Sequence, residues 1–345
     1  MNTASVRDVA AHAGVSVGTV SNVLNHPEKV QPETVSKVQA SILTLGFIRN
    51  DAARQLRVGH SQMIGFVVLQ AGNPFFSEVA RGAEEAGRGA GLSVLLANSD
   101  EDPEREDAYL ALFEQQRVHG VLISPAGDVS ERLENMRGRG IASVLVDRNG
   151  RDNRVSSVSV DDVAGGRMAV AHLLSLRRRR IAVLAAHLEI PQVADRIAGA
   201  REAVKRVQGA VLEVIDIGEL DVLSGRAASA DLVGRPARER PDGVFAVNDL
   251  IALGLLQSLV MGRGVRVPED VALIGYDDIA FASSSVVPLS SIRQPSRLIG
   301  RRAAELLLQH AADPALADRQ VVFQPELVVR ASTVGAQGDE LPETA

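Results

Sequence analysis

From Met63 onward the chain alternates short apolar runs with longer stretches of helical period, and a chain with that rhythm has few ways to fold. An apolar run bounded by turn signals reads as a strand buried on both faces. A helical stretch between successive strands makes them run parallel. Candidate strands cover residues 64–69, 93–97, 120–124, 143–146, 181–185, 211–215, 244–247 and 272–275. About eight strands suit two lobes better than one sheet. The expected fold class is therefore an α-helical head followed by an α/β body of two doubly wound parallel sheets.

The head precedes this rhythm. Ser5 can cap a first helix whose Val6, Val9, Ala10 and Ala13 share one face, with Asp8 at the capping-box position and Gly14 at the end. Ser16 is a second N-cap, followed by Val20, Val23 and Leu24 on one buried stripe. A third helix starts at Pro32, repeats Val35, Val38, Ile42 and Leu45, and stops at Gly46. Residues 50–59 could add a short capped helix with too few apolar residues for a core of its own. Residues 1–59 carry +2 within a chain of net charge -6. A mildly basic head on an acidic body fits a protein in which only the head must attract phosphates.

Other classes are less compatible. No apolar run approaches the roughly 20 residues needed to span a bilayer, and the start lacks a basic stretch followed by an apolar one, so a cytoplasmic location without membrane contact is expected. The absence of cysteine removes disulfides and Cys-based zinc sites, and neither a metal nor a cofactor is expected. GVSVG at residues 14–18 matches the G-x-S-x-G nucleophile elbow as a string. That elbow needs a strand before its serine, whereas Ser16 follows a helical pattern and is better read as a cap. No other catalytic or cofactor motif stands in the chain, so an enzyme is not expected.

The segment AGVSVGTVSNVL at residues 13–24 resembles the helix-turn-helix of the lactose-repressor and galactose-repressor (LacI/GalR) family. Later blocks resemble the same family in order and spacing: NPFFSEVARGAEEAG from 73, QRVHGVLISP from 116, VDRNG from 146, AVNDLIALG from 246, GYDDIAFASS from 275 and PLSSIRQP from 288. The resemblance implies a sequence-specific transcription regulator, a repressor of sugar-utilisation genes. It also implies a homodimer on operator DNA with two half-sites, and two lobes of the type I periplasmic-binding-protein kind enclosing an allosteric effector. The corresponding segments are a DNA-binding domain at 1–49, a hinge helix and linker at 50–60, an effector and dimerisation domain at 61–333, and a polar tail at 334–345 expected to be disordered. A solute-binding protein would share the lobes but lack the head.

A recognition helix must turn short or polar side chains toward base edges while its other face packs. Val17, Gly18, Ser21, Asn22 and Asn25 lie off the buried stripe. The resemblance assigns base contacts to Val17, Gly18 and Asn22. Val17 can offer a thymine methyl only an apolar contact, Asn22 offers donor and acceptor, and Gly18 has no side chain to read with. Ser16, Thr19, Asn50, Arg54 and Arg57 are candidate phosphate or groove contacts. Leu56 is an apolar residue on an otherwise polar segment, either packed on the body or, as the resemblance implies, wedged between central bases.

Asn73, Asp147, Arg148, Arg196, Asn248, Asp277 and Gln294 fall at strand ends or near helix starts, where open α/β sheets bind ligands. Carboxylates, a guanidinium and amides together suit a polyhydroxylated ligand, with Phe75 and Phe76 as an apolar wall. Ser124 completes the candidate set. The set resembles that of ribose-binding members, which implies a monosaccharide or its phosphate, a ribose-like pentose by preference. Leu220 stands where related sugar binders place an aromatic side chain, which leaves a different ring, a purine or looser stacking open. The run Arg177–Arg180 is expected to be a solvated loop at a helix C-terminus, where cations favour the dipole.

Overall fold

A computed structural model of the chain describes residues 4–47, 60–150, 155–236 and 238–335. The chain divides into two compact units, Met1–Ser61 and Gln62–Ala345. Asn50, Arg54, Leu56 and Arg57, on which the expectation of a hinge helix falls, lie outside the described residues, as do residues 336–345.

Among the described residues the first unit has three α-helices, α1 (Val6–Ala13), α2 (Val17–Asn25) and α3 (Pro32–Leu45). Their ends follow local chemistry. Ser5 Oγ accepts from the Asp8 amide while Asp8 Oδ2 accepts from the Ser5 amide at 2.8 Å, a complete capping box. Gly14 takes φ 64° and ends α1, and Ser16 Oγ accepts from the Thr19 amide at 3.0 Å and starts α2. Val9, Ala10, Ala13, Val20, Val23 and Val38 form the buried core, with Val35, Ile42, Leu45 and Phe47 packed around it.

In the second unit the elements run β1 (Met63–Val68), α4 (Pro74–Gly89), β2 (Ser93–Asn98), α5 (Pro103–Gln115), β3 (Gly120–Ile123), α6 (Ser130–Gly138), β4 (Ala142–Val146) and β5 (Ser157–Val160). Then follow α7 (Asp162–Ser175), β6 (Arg180–Ala185), α8 (Pro191–Lys205), β7 (Val211–Asp216), α9 (Val222–Gly234), β8 (Gly243–Ala246), α10 (Asp249–Gln257), β9 (Ala272–Asp277), α11 (Ala280–Ser284) and β10 (Ser290–Arg293). The last are α12 (Ser296–Ala312), β11 (Gln320–Phe323), β12 (Glu326–Val328) and α13 (Ala331–Val334). One sheet has the order β11-β5-β4-β3-β1-β2, all parallel; the other is β12-β10-β9-β8-β6-β7, parallel except for β12 against β10. The chain passes between the lobes three times, after β5, β10 and β11: α7 packs in the second lobe, α12 returns to the first, and β12 ends in the second.

The eight expected strands correspond to β1–β4 and β6–β9. Missed were β5, β10, β11 and β12, each three or four residues long. SVSV, SSIR and QVVF offer too short an apolar signal, although Ser157, Ser159, Ser290 and Ser291 are buried. The run at the end of α7 is exposed at Arg177 and half-buried at Arg178–Arg180, which are more than solvated cations: Arg178 donates to the carbonyls of Pro268 and Glu269, Arg179 to Leu174 at the end of α7, and Arg180 to Arg240, joining loops at the strands' amino ends. At the end of the described body Ser332 Oγ of α13 donates to the Leu273 carbonyl at 2.6 Å.

Helices of each lobe meet at glycines. A Cβ on Gly166 of α7 would overlap the Arg196 carbonyl of α8, and one on Gly199 would overlap the Val163 carbonyl. Gly82 and Gly300 do the same between α4 and α12. Side chains are thus absent where the two helix backbones come into direct contact. The contact fixes α8, and with it Arg196, against α7.

Candidate functional site

The carboxyl ends of both sheets face one another across a cleft within the second unit. Asn73 follows β1 and caps α4, accepting from the Phe75 amide at 3.0 Å. Asp147 follows β4, Asn248 caps α10 after β8, Asp277 ends β9, and Gln294 follows β10. Arg196 enters from α8. Asn73, Phe75, Phe76, Asp147, Arg196, Asn248 and Asp277 line the cleft. Phe75 and Phe76 meet edge to face at 5.1 Å.

Arg196, only 6% exposed, organises the floor. Its Nε donates to Asp162 Oδ1 at 2.8 Å, one terminal nitrogen donates to the Val247 carbonyl at 2.8 Å, and its guanidinium carbon lies 3.8 Å from the Tyr276 ring centroid. The Tyr276 hydroxyl donates to the same Asp162 oxygen at 2.9 Å. Asp277 lies 4.0 Å from Arg196 and accepts from Asn73 Nδ2 at 3.2 Å and from Gln294 Nε2 at 2.8 Å. Those two amides hold Asp277 at φ 104°, a region costly for a residue with a Cβ. Burial alone would lower the Arg196 pKa, but Asp162, Tyr276, Asp277 and Asp147 outweigh it and raise it. Burial, with Asp162 adding repulsion, pushes the Asp147 carboxyl well above the usual range.

Several buried polar atoms here are unsatisfied within the described protein. Asp147 Oδ1 and Gln294 Oε1 have no hydrogen-bond partner, and the Gln192 amide, close to Asp147, makes no hydrogen bond of normal geometry. Asp147 and Gln192 line the cleft, so their atoms are a donor and acceptors available to a ligand there, whereas Gln294 does not line it.

The expected set is not brought together entire. Gln294 acts through Asp277 instead of lining the cleft. Arg148 lines an adjoining cavity with Asp161, Asp162 and Asp195. Ser124 is wholly buried and does not line the cleft. Sequence reasoning missed Gln192, Asp162, Tyr276, Glu101 and Gln70. Tyr276 lies inside the quoted GYDDIAFASS block, but Asp162 follows the unseen β5 and was invisible for that reason.

Behind Asp277, fully buried Asp249 accepts from Ser291 Oγ at 2.7 Å and from the Ile279 amide at 2.8 Å. Burial, reinforced by Asp277, raises its pKa well above 3.8. A carboxyl that holds its proton more tightly folded than unfolded weakens folding as pH rises through its ordinary value toward the raised one. Asp249→Asn, which cannot ionise, should therefore gain stability relative to the parent over that rise. Urea unfolding across a pH series reads the difference, and parallel curves would contradict it.

In the first unit Val17, Gly18 and Asn22 are exposed on α2, Ser21 and Thr19 half-buried. Asn25 donates to the Ser21 carbonyl at 2.8 Å and the Thr19 and Ser16 hydroxyls lie 2.9 Å apart, so these side chains also serve the helix. Val17 and Asn22 therefore present the free apolar and amide groups of this face.

Residues 5–50 match the model of bacterial regulatory proteins of the lacI family, and residues 170–333 match a periplasmic binding protein-like domain. The chain is 34% identical over 334 residues to the HTH-type transcriptional repressor PurR of Vibrio parahaemolyticus, covering 95% of this chain and 98% of that one. It is 34% identical to the ribose operon repressor of Bacillus subtilis, with 96% and 98% covered. Among solved structures, the lac repressor dimer bound to operator and the anti-inducer ONPF superposes with a TM-score of 0.81 at 26% identity, covering 97% of this chain and all of that one. A LacI family regulator from Enterococcus faecium with bound ribose gives 0.72 at 29% identity, covering 80% and 100%.

Proposed function

This chain belongs to the lacI family of bacterial regulatory proteins, and on that premise we propose that it is a cytoplasmic repressor whose operator affinity is set by a neutral, ribose-like pentose held between its lobes. The cleft's floor carries the reading: one buried guanidinium among Asp147, Asp162 and Asp277, with unpaired polar atoms on Asp147 and Gln192. Vicinal hydroxyls donate to carboxylates and accept from guanidinium and amide groups, and Phe75 and Phe76 cover an apolar ring face. Three carboxylates against one guanidinium disfavour a phosphate, so the sugar is read as unphosphorylated. The relatives are transcriptional repressors, and the chain is read as a regulator, not an enzyme.

Allostery follows from differential affinity: a ligand bridging both lobes favours the arrangement in which both sets of contacts form, and the head's operator affinity changes with it. Homodimerisation is supported by apolar side chains on the matching sheet edges, Leu95 and Leu96 on β2 and Val211 on β7, left 40–59% exposed. Among the described residues no helix is long and apolar enough to cross a membrane.

Calorimetry with ribose, other pentoses, hexoses, their phosphates and purines tests the effector. Saturable ribose binding with no response to ribose phosphate is expected. Tight purine binding without response to any sugar would refute the assignment. For the head, Asn22→Ala should reduce discrimination between operator and random DNA by roughly tenfold or more, the scale of one good base-edge pair, while random-DNA affinity holds. Equal losses on both DNAs, measured by fluorescence anisotropy, would remove Asn22 from base reading.

A further inference from the structure

We propose that Glu101, His187 and Glu219 form a binding site for a divalent first-row transition-metal ion, with Zn²⁺ the best fit, at the mouth of the cleft. Glu101 follows β2 in the first lobe, whereas His187 follows β6 and Glu219 follows β7 in the second. A bound ion would therefore tie the lobes together.

The geometry is close to that of a formed site. His187 Nε2 lies 3.1 Å from Glu101 Oε2 and 3.1 Å from Glu219 Oε2, and the three ligand atoms fall within 4.8 Å of one another. Tetrahedral zinc with bonds near 2.0 Å separates neighbouring ligand atoms by about 3.3 Å, so both nitrogen–oxygen distances are already near those of a bound ion and the two carboxylate oxygens, within 4.8 Å of one another, can close on it. The other face of the imidazole is also provided for. Glu189 Oε1 lies 3.5 Å from His187 Nδ1, on the side where a metal-bound histidine donates its remaining N–H to a carboxylate. The Glu101 side chain is 8% exposed and held by its loop, whose Glu101 amide donates to the Leu69 carbonyl at 3.1 Å. An imidazole beside carboxylates favours a transition ion over Mg²⁺ or Ca²⁺, which prefer oxygen alone. Among the described residues no other group of three or more such side chains comes so close together.

Glu101 also lines the effector cleft, one lobe's wall of it. An ion on His187 and Glu219 that captures Glu101 would favour the lobe arrangement present here.

Calorimetric titration of the untagged full-length protein with Zn²⁺ alone tests the site. One equivalent per chain is expected, with His187→Gln and Glu101→Gln each weakening binding at least tenfold, Glu189→Gln weakening it less, and Mg²⁺ failing to bind. Zn²⁺ should raise the thermal midpoint of the parent and not of His187→Gln, since only a protein that binds the ion is stabilised by it. Urea unfolding without metal confirms that the variants fold. No saturable Zn²⁺ binding, or unchanged binding by folded His187→Gln, would overturn the proposal. Ribose binding is titrated separately on the metal-free protein, so failure of the metal site leaves the effector assignment standing, and failure of ribose binding leaves the metal site standing.

Discussion

Arg196→Ala is expected to abolish ribose binding and to destabilise the ligand-free body by about 3–5 kcal/mol. The guanidinium is the cation that Asp162 and Asp277 face, 2.8 and 4.0 Å away, and both carboxylates are buried. Removing it leaves them without a counter-charge, leaves the Val247 carbonyl without its donor, and takes the cation off the Tyr276 face. Arg196→Lys separates the two roles. A lysine restores charge and part of the stability but cannot present the planar fork, so ribose affinity should stay well below that of the parent. Urea unfolding and calorimetry on the two variants read both effects. An alanine variant as stable as the parent would show that the carboxylates do not depend on the guanidinium.

The second large effect is expected from a methyl group. Gly166→Ala places a Cβ against the Arg196 carbonyl, a backbone atom that cannot swing away. Overpacking typically costs about 1–3 kcal/mol, and here relief requires moving α8 as a rigid element. The same movement shifts Arg196 away from Asp162, so ribose affinity should fall by tenfold or more although no cleft residue has changed. Gly209→Ala is the contrasting case: Gly209 has no neighbour within 4 Å but takes φ 77°, so its substitution strains one turn and leaves the cleft alone. Unaltered stability and ribose affinity in Gly166→Ala would mean that the helix contact tolerates separation.

Much of this arrangement was legible in the chain because the signals were local. The three caps of the head are read from Ser5, Gly14 and Ser16 alone, and the eight candidate strands coincide with β1–β4 and β6–β9. The short strands were illegible because their pairing is decided by distant partners: Ser157–Val160 becomes a strand through Gln320–Phe323, far along the chain. The cleft divides similarly. Asn73, Asp147, Asn248 and Asp277 follow strands and were found by position, whereas Asp162, Gln192 and Tyr276 matter through contacts with Arg196 or Asp147 that no spacing encodes. Ser124 shows the converse error. It ends a strand as the others do, but its side chain is sealed inside. The cluster of Glu101, His187 and Glu219 comes from three loops in two lobes, which is why a chain without cysteine gave no hint of metal.

The central claim is that cleft occupancy is communicated to DNA binding by the head. Its most direct test is the affinity of the purified protein for the region upstream of its own gene, measured at fixed salt with and without saturating ribose, random DNA serving as the reference. A preference for the upstream region is expected, with a change in that affinity of tenfold or more when ribose is added, absent in Arg196→Lys. The same affinity with and without ribose, in a protein that calorimetry shows to bind the sugar, would contradict it.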